Sequence, residues 1–284
     1  MPIPLPTQPL KNKVALVTGA SRGIGKGVAI ALAKDGAKVY ITGRTEFPSQ
    51  NNALNGSLQE TQEAIHAFGG QCIPLRCDHT IDTDVDRVFE VISKSEKTLD
   101  IVVNCAWGGY EHFNDGTEFW KEEGFWSAPM DRWDKMLTAG VRAAYNSCRI
   151  AAGIMIKQGS GLLVNLSYWA SQKNDLGVAY GVSKSATDRM TVIMGHELKP
   201  HRIATVCLYP GIVRTEAVLK AADHFDLSNS ESPEFTGRVI SRLAQDPKLM
   251  EKSGKTFVGA QLALEYGVRD IDGKQSRPLT AYDV

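Results

Sequence analysis

Residues 13–43 read KVALVTGASRGIGKGVAIALAKDGAKVYITG, and the order of residue types in this stretch predicts the fold. KVALVTG (13–19) is a short Val-rich apolar run, and the glycine-rich ASRGIG follows it directly. Residues 24–35 then place apolar side chains at helical spacing and stop at Gly36, after which KVYITG (38–43) is a second short apolar run. Strand, glycine turn, helix and strand within about thirty residues make a βαβ unit, with parallel strands and a right-handed crossover.

The alternation continues outward from this unit. QCIPLRCD (71–78), LDIVVNCA (99–106), GLLVNLS (161–167), IATVCLYPG (203–211) and KTFVGA (255–260) are strand-like. Residues 84–95, 131–159 and 180–200 are helical, the last stopped by Pro200. The pattern predicts a Rossmann-type, doubly wound α/β domain over 13–284, with a parallel sheet of about seven strands. An extended arm over 1–12 precedes it, with four of the chain's 12 prolines. Three stretches depart from the alternation: a polar loop at 45–57, an aromatic insertion at 107–132, and a segment at 216–237 that reads as a mobile helix or loop over the substrate.

Composition narrows the function classes. The 284 residues carry 32 basic and 32 acidic side chains, and 43% are hydrophobic. Exact charge balance argues against a nucleic-acid partner, which needs a clustered basic surplus. No apolar run is long enough for a membrane span, and the Pro-rich start has neither a basic region nor an apolar core of a signal peptide. The cysteines at 72, 77, 105, 148 and 207 are odd in number and scattered, as expected of reduced thiols in a cytoplasmic protein. The histidines show no metal-ligand spacing, so no metal is expected, and His79 reads as a surface residue. Asp131 and Asp134 fit the start of the long helix, where acids suit the dipole.

The turn Gly19-Ala-Ser21-Arg22-Gly23-Ile24-Gly25 sits where strand meets helix. Glycines there let backbone approach a pyrophosphate, with helix N–H groups aimed at the anion. The second strand ends Thr42-Gly43-Arg44, without the carboxylate that would bind a ribose 2′-hydroxyl. Arg44 and Arg22 together suit a 2′-phosphate instead, which points to NADP(H) over NAD. Further on, Tyr180-Gly-Val-Ser-Lys184 puts a phenol and an ammonium one helical turn apart. A nearby ammonium favours tyrosinate, so the phenol can exchange a proton near neutral pH.

TGASRGIG (18–25), Asn104-Cys105-Ala106, Tyr180…Lys184 and Pro210-Gly-Ile-Val-Arg-Thr215 occur in the order and spacing of the short-chain dehydrogenase/reductase family. The chain resembles that family from about Lys13 to Gly259, and its tail is similar to the branch around "member 1" of the dehydrogenase/reductase series and its bacterial relatives. The resemblance implies reversible carbonyl–alcohol hydride transfer. It implies that Gly19, Ser21, Arg22, Gly23, Ile24 and Gly25 cradle the cofactor, that Asp78 holds the adenine, and that Asn104 and Ala106 line its ribose. Tyr180 would be the acid/base, Lys184 would bind the nicotinamide ribose and lower the Tyr180 pKa, and Pro210, Gly211, Val213 and Thr215 would hold the carboxamide end. It also implies a homodimer or homotetramer built on helices 131–157 and 180–199.

Two positions depart from the family pattern. The carbonyl-polarising serine falls on Ser167, thirteen residues before Tyr180, whereas a gap-free register puts Tyr168 there. The helix asparagine that supports a relay water aligns with Gly140, which has no side chain to offer. These departures motivate a second reading, an NADP-binding regulatory or scaffold protein whose catalysis has decayed. Finally, Trp107, Tyr110, Phe113, Phe119, Trp120, Phe125, Trp126 and Trp133 crowd the insertion. They are expected either to wall the pocket of an apolar or aromatic small-molecule substrate or to form a satellite core or subunit interface.

Overall fold

The computed structural model describes residues 8–49, 54–109 and 123–283. Its strands are β1 (Val14–Thr18), β2 (Lys38–Gly43), β3 (Gln71–Arg76), β4 (Ile101–Asn104), β5 (Gly161–Leu166), β6 (Ile203–Tyr209) and β7 (Lys255–Val258). They form a single sheet in the order β3-β2-β1-β4-β5-β6-β7, every pair parallel. The chain enters at β1, winds outward to β3, then returns to the other side of β1 and winds outward to β7. The winding reverses between β1 and β4, and there Thr18 pairs with Asn104. Ligands in such sheets bind outside the carboxyl ends of the strands at this reversal.

Both faces of the sheet are covered, so β1 and β6 are buried along their whole length. Strand side chains alternate between two cores. Ala15, Val17, Val103 and Val164 face α1 (Gly23–Lys34) and α8 (Pro233–Ala244), while Leu16, Val102 and Leu163 face α3 (Asp82–Ser95) and α5 (Ala143–Gln158). The remaining helices are α2 (Leu58–His66), α4 (Met130–Lys135), α6 (Val178–Leu198), α7 (Glu216–Lys220), α9 (Leu249–Lys252) and α10 (Gly259–Tyr266). The predicted 131–159 helix is α4 and α5 joined by a π-wound segment, Met136–Arg142. It starts with Asp131 in its first turn and stops at Gly159, whose φ of +75° closes the last turn.

The structure adds to the sequence reading along the chain. The arm is described only from Gln8, and its last residues are turns rather than extended chain: Leu10 is buried and donates its N–H to the Asp35 carbonyl. Segment 216–237, read as a helix or loop, contains α7 and the first turns of α8. Pro233 starts α8 at the position where its missing N–H costs nothing, and Phe235, Val239, Ile240 and Leu243 are buried in the core. α8 approaches α1 closely because Gly27 and Gly237 carry no side chain: a Cβ on Gly27 would lie 2.1 Å from the Pro233 backbone. Finally, α2 follows the polar loop at once. Ser57 accepts from the Glu60 N–H and donates to its carboxylate, a reciprocal cap.

Candidate active site

β1 hands over to α1 through Gly19 and Gly23, which take φ of +65° and +56°. Only glycine adopts such backbone without strain. The turn also lies flat against the chain leaving β4: a Cβ on Gly19 would sit 2.7 Å from the Ala106 backbone, and one on Gly25 2.3 Å from the Gly19 carbonyl. The Thr18 hydroxyl pins the two segments by accepting from the N–H groups of Cys105 and Ala106, each at 3.0 Å. α1 has no side-chain cap from its own N-cap residue, Arg22. Its Gly23 N–H donates instead to the Glu216 carboxylate at 2.8 Å, reaching across to α7. An anion thus meets the positive end of α1 in this structure.

At the tip of β2, Arg44 is exposed and Arg22 is half-buried. The Arg22 guanidinium donates to the Gly56 carbonyl at 2.9 Å and the Thr45 hydroxyl at 3.2 Å. Burial lowers its pKa, Glu216 opposes that, and the positive field of Arg44 adds to the lowering. Nearby, burial raises the Asp78 pKa, but the Thr80 N–H and hydroxyl, with Arg44 and His79, outweigh it and hold the carboxyl below its ordinary value. His79 is buried, contrary to the surface position read from the sequence. Its Nε2 lies 2.7 Å from the Thr42 hydroxyl, its Nδ1 has no hydrogen-bond partner, and burial pushes its pKa down to about 4.

Across the reversal point stand Tyr180 and Lys184, both 8% exposed, on the first turns of α6. The Lys184 ammonium lies 3.7 Å from the centre of the Trp107 ring and 5.5 Å from that of Tyr180. Burial lowers its pKa to about 8, against opposition from Cys207, Asp188 and Cys105. The Ser167 hydroxyl donates to the Lys184 backbone carbonyl at 3.2 Å. The Tyr168 ring instead lies 6.5 Å from the Tyr180 ring, tilted by 36°. Asn104 donates to Asn165 at 2.9 Å, and Asn165 to Thr191 at 3.0 Å, which ties β4 and β5 to α6. The Asn104 Oδ1 is buried without a hydrogen-bond partner.

The Pro210–Thr215 turn closes the edge. Thr215 caps α7 through the Val218 N–H, and its methyl side would stand 3.3 Å from a Cβ on Gly23. Val213 is buried and bridges to Glu231. Sequence reasoning missed Glu231, whose carboxylate accepts from the Gly211 N–H at 3.1 Å behind the turn. Burial raises its pKa to about 7, with the Gly211 bond and Arg214 opposing and Asp270 reinforcing. No local pattern marked it, because its partner lies twenty residues away. Beside Tyr180 opens an apolar cavity of about 170 Å³ lined by Phe125, Met130, Trp133, Leu176 and Val178, among others. Of the aromatic insertion, Tyr110, Phe113, Phe119 and Trp120 lie outside the described residues.

Glycine cradle, Asn104 and Tyr180–Lys184 thus share one carboxyl edge, in the order the sequence motifs predicted. Residues 13–224 match the family model of short chain dehydrogenases. The chain belongs to the short-chain dehydrogenase family. It is 37% identical to the mouse (Mus musculus) protein dehydrogenase/reductase SDR family member 1 over 288 residues, covering 96% of this chain and 87% of that one. The human (Homo sapiens) counterpart is 35% identical over the same shares. A short-chain dehydrogenase/reductase from Mycobacterium marinum superposes with a TM-score of 0.73 at 26% identity, over 88% of this chain and 94% of the other. A 7α-hydroxysteroid dehydrogenase shares the fold, with a TM-score of 0.72 at 22% identity over 89% and 94%.

This short-chain dehydrogenase is therefore an NAD(P)-dependent oxidoreductase. Its residues fit the cofactor's demands. The cradle has no room for a Cβ at Gly19 or Gly25, the N-terminus of α1 already holds a carboxylate, and Asn104 Oδ1 is a buried acceptor without a bond. Among the described residues no cluster of His, Cys, Asp or Glu suits a metal ion, and no helix is long and apolar enough to cross a membrane. The five cysteines are free thiols.

Proposed function

We propose that the chain is an NADP-dependent oxidoreductase that interconverts a carbonyl and an alcohol on an apolar or aromatic small molecule. The observation that carries this reading is a buried phenol and ammonium one turn apart, at the mouth of an apolar cavity and beside a glycine cradle. In the oxidative direction Tyr180 takes the alcohol proton onto its phenolate oxygen, and in reduction it returns that proton to the carbonyl oxygen. Lys184 supports the phenolate by charge and binds the nicotinamide ribose. The nicotinamide, when bound, donates or accepts the hydride.

The cradle Gly19, Ser21, Arg22, Gly23, Ile24 and Gly25 takes the pyrophosphate, Asn104 and Ala106 the ribose, and Asp78, beside buried His79, the adenine. Pro210, Gly211, Val213 and Thr215 hold the carboxamide. Of the two hydroxyls that the sequence offers to polarise the substrate carbonyl, Ser167 and Tyr168, we favour Tyr168, because Ser167 is bonded to the α6 backbone and the Tyr168 ring lies beside that of Tyr180. Arg44 and Arg22 favour the 2′-phosphate of NADP(H). Exposed Tyr145, Ile156, Val182, Val192 and Ile193 on α5 and α6 support a homodimer or homotetramer, and the five unpaired cysteines fit the cytoplasm.

The test follows NADPH absorbance against a panel of aromatic and aliphatic ketones and aldehydes. Turnover that falls by about 10²–10⁴ in Tyr180→Phe supports the reading. Tyr168→Phe is expected to lower kcat far more than Ser167→Ala, and the reverse order moves the polarising role to Ser167. Tight NADPH binding without turnover of any carbonyl or alcohol overturns the enzyme in favour of a scaffold.

A further inference from the structure

Three observations meet at Trp107. Its indole lies over Gly140 so closely that a Cβ there would come within 2.5 Å of the ring carbon Cζ3. Its face carries the Lys184 ammonium at 3.7 Å, well inside the range of a cation–π contact. Its ring meets that of Tyr180 edge-on, with centroids 5.8 Å apart at 76°. Gly140 itself is buried in the π-wound turn Met136–Arg142, at the position where the family resemblance expects an amide side chain.

The other groups around the ammonium leave much to the indole. Cys207 on β6 and Cys105 after β4 face Lys184, but burial raises both thiol pKa values, so they stay neutral. Asp188, one turn further along α6, is the carboxylate in its field, and that carboxylate already accepts from the Tyr209 hydroxyl and the Cys207 thiol. Tyr180 contributes its ring from the preceding turn.

We propose that Trp107 is a positioning residue of the Tyr180–Lys184 pair: the glycine at 140 makes room for an indole that holds the Lys184 ammonium on its face and keeps water from it. The inference deepens the oxidoreductase reading and rests on it. A water anchored by a side chain at 140 has no place in this arrangement, because the ring fills that space. The ammonium beside Tyr180 then depends on the π-face, and a change that removes or tilts the face without admitting water shifts Lys184 toward its neutral form.

The test is an NMR titration of Lys184 in protein labelled with ¹³C at the lysine ε-carbons, assigned with Lys184→Arg, together with the pH profile of kcat for alcohol oxidation. Trp107→Leu keeps apolar bulk but removes the π-face, so Lys184 is expected to titrate about one pH unit lower. The acid limb of kcat moves up, because a neutral lysine no longer supports the tyrosinate. Trp107→Phe keeps a face and stays near the wild type. Gly140→Ala gains helix propensity, which guards against simple unfolding, yet pushes a methyl into the indole. It is expected to shift Lys184 in the same direction, and the Trp107→Leu/Gly140→Ala double variant no further than either alone. Unchanged Lys184 titration in Trp107→Leu and Gly140→Ala, or additive shifts in the double variant, overturns the proposal. Loss of turnover in Tyr180→Phe alongside such unchanged titration leaves the oxidoreductase reading standing. A wild-type protein that turns over nothing overturns that reading, while the titration still decides the role of Trp107.

Discussion

His79 and Glu231 are buried ionisable side chains with opposite displacements, and together they hide a pH dependence. The His79 pKa falls from 6.5 to about 4, so between these values the unfolded chain binds more protons and stability drops on acidification. The Glu231 pKa rises from 4.5 to about 7, so between these values the folded chain binds more protons and stability grows on acidification. Each effect is worth about 2 kcal/mol between pH 7.5 and 5, and they oppose. Urea midpoints of the wild type are therefore expected to change little over that range. His79→Gln should become more stable at pH 5 than at pH 7.5, and Glu231→Gln less. Parallel curves for all three proteins would refute the assignment. Neither residue was legible in the sequence, since each owes its burial to a partner on another element, Thr42 for His79 and Gly211 for Glu231. Arg44, by contrast, is proposed from its place at the end of the second strand, where it is exposed. Arg44→Asp is expected to weaken NADPH binding at least tenfold while leaving NADH nearly unchanged, as measured by fluorescence titration. Equal weakening of both removes the argument for NADP.

At the scale of elements, α7 and α1 are joined by the Glu216 carboxylate on the Gly23 N–H. A cofactor phosphate aimed at the same helix end competes with it, so binding has to displace Glu216 and with it the start of the 216–237 segment. Glu216→Ala is expected to tighten NADPH roughly tenfold, the worth of one charge-assisted bond. An unchanged dissociation constant would mean that phosphate and carboxylate do not compete. The strands were readable because each is a short buried apolar run between turns, and α1, α3 and α6 because their spacing is periodic. α2 and α8 were not, although both carried signals: Ser57 and Glu60 three residues apart for α2, and Pro233 ahead of Phe235, Val239 and Ile240 for α8. Polar residues in front of each masked the start.

For the whole molecule, one winding direction on each side of β1 places the glycine turn, Asn104 and the Tyr180 pair at one edge, which the order of motifs had implied. What the order did not carry is the contact between Trp107 and Gly140, separated by 33 residues and set by the π-wound turn. The unpartnered apolar side chains of α5 and α6 lead to an expectation at this scale. Ile193→Glu, 43% exposed in the single chain, should lower the mass seen by analytical ultracentrifugation without loss of secondary structure. An unchanged mass would place the interface elsewhere.

The sheet's entry at its middle strand also shapes how the chain is made. On the ribosome β1 and β2 can pair early, but the other edge of β1 stays bare until β4 emerges, whose first residue lies 83 positions after Thr18. A bare, largely apolar strand edge is a template for wrong pairing. The glycine turn is equally incomplete until then, because its platform is the Cys105–Ala106 backbone held by Thr18. A nascent chain cut before β4 thus carries every glycine of the motif and still cannot grip a nucleotide. Nucleotide capture by arrested chains of increasing length would mark the moment at which the two halves of the sheet first meet.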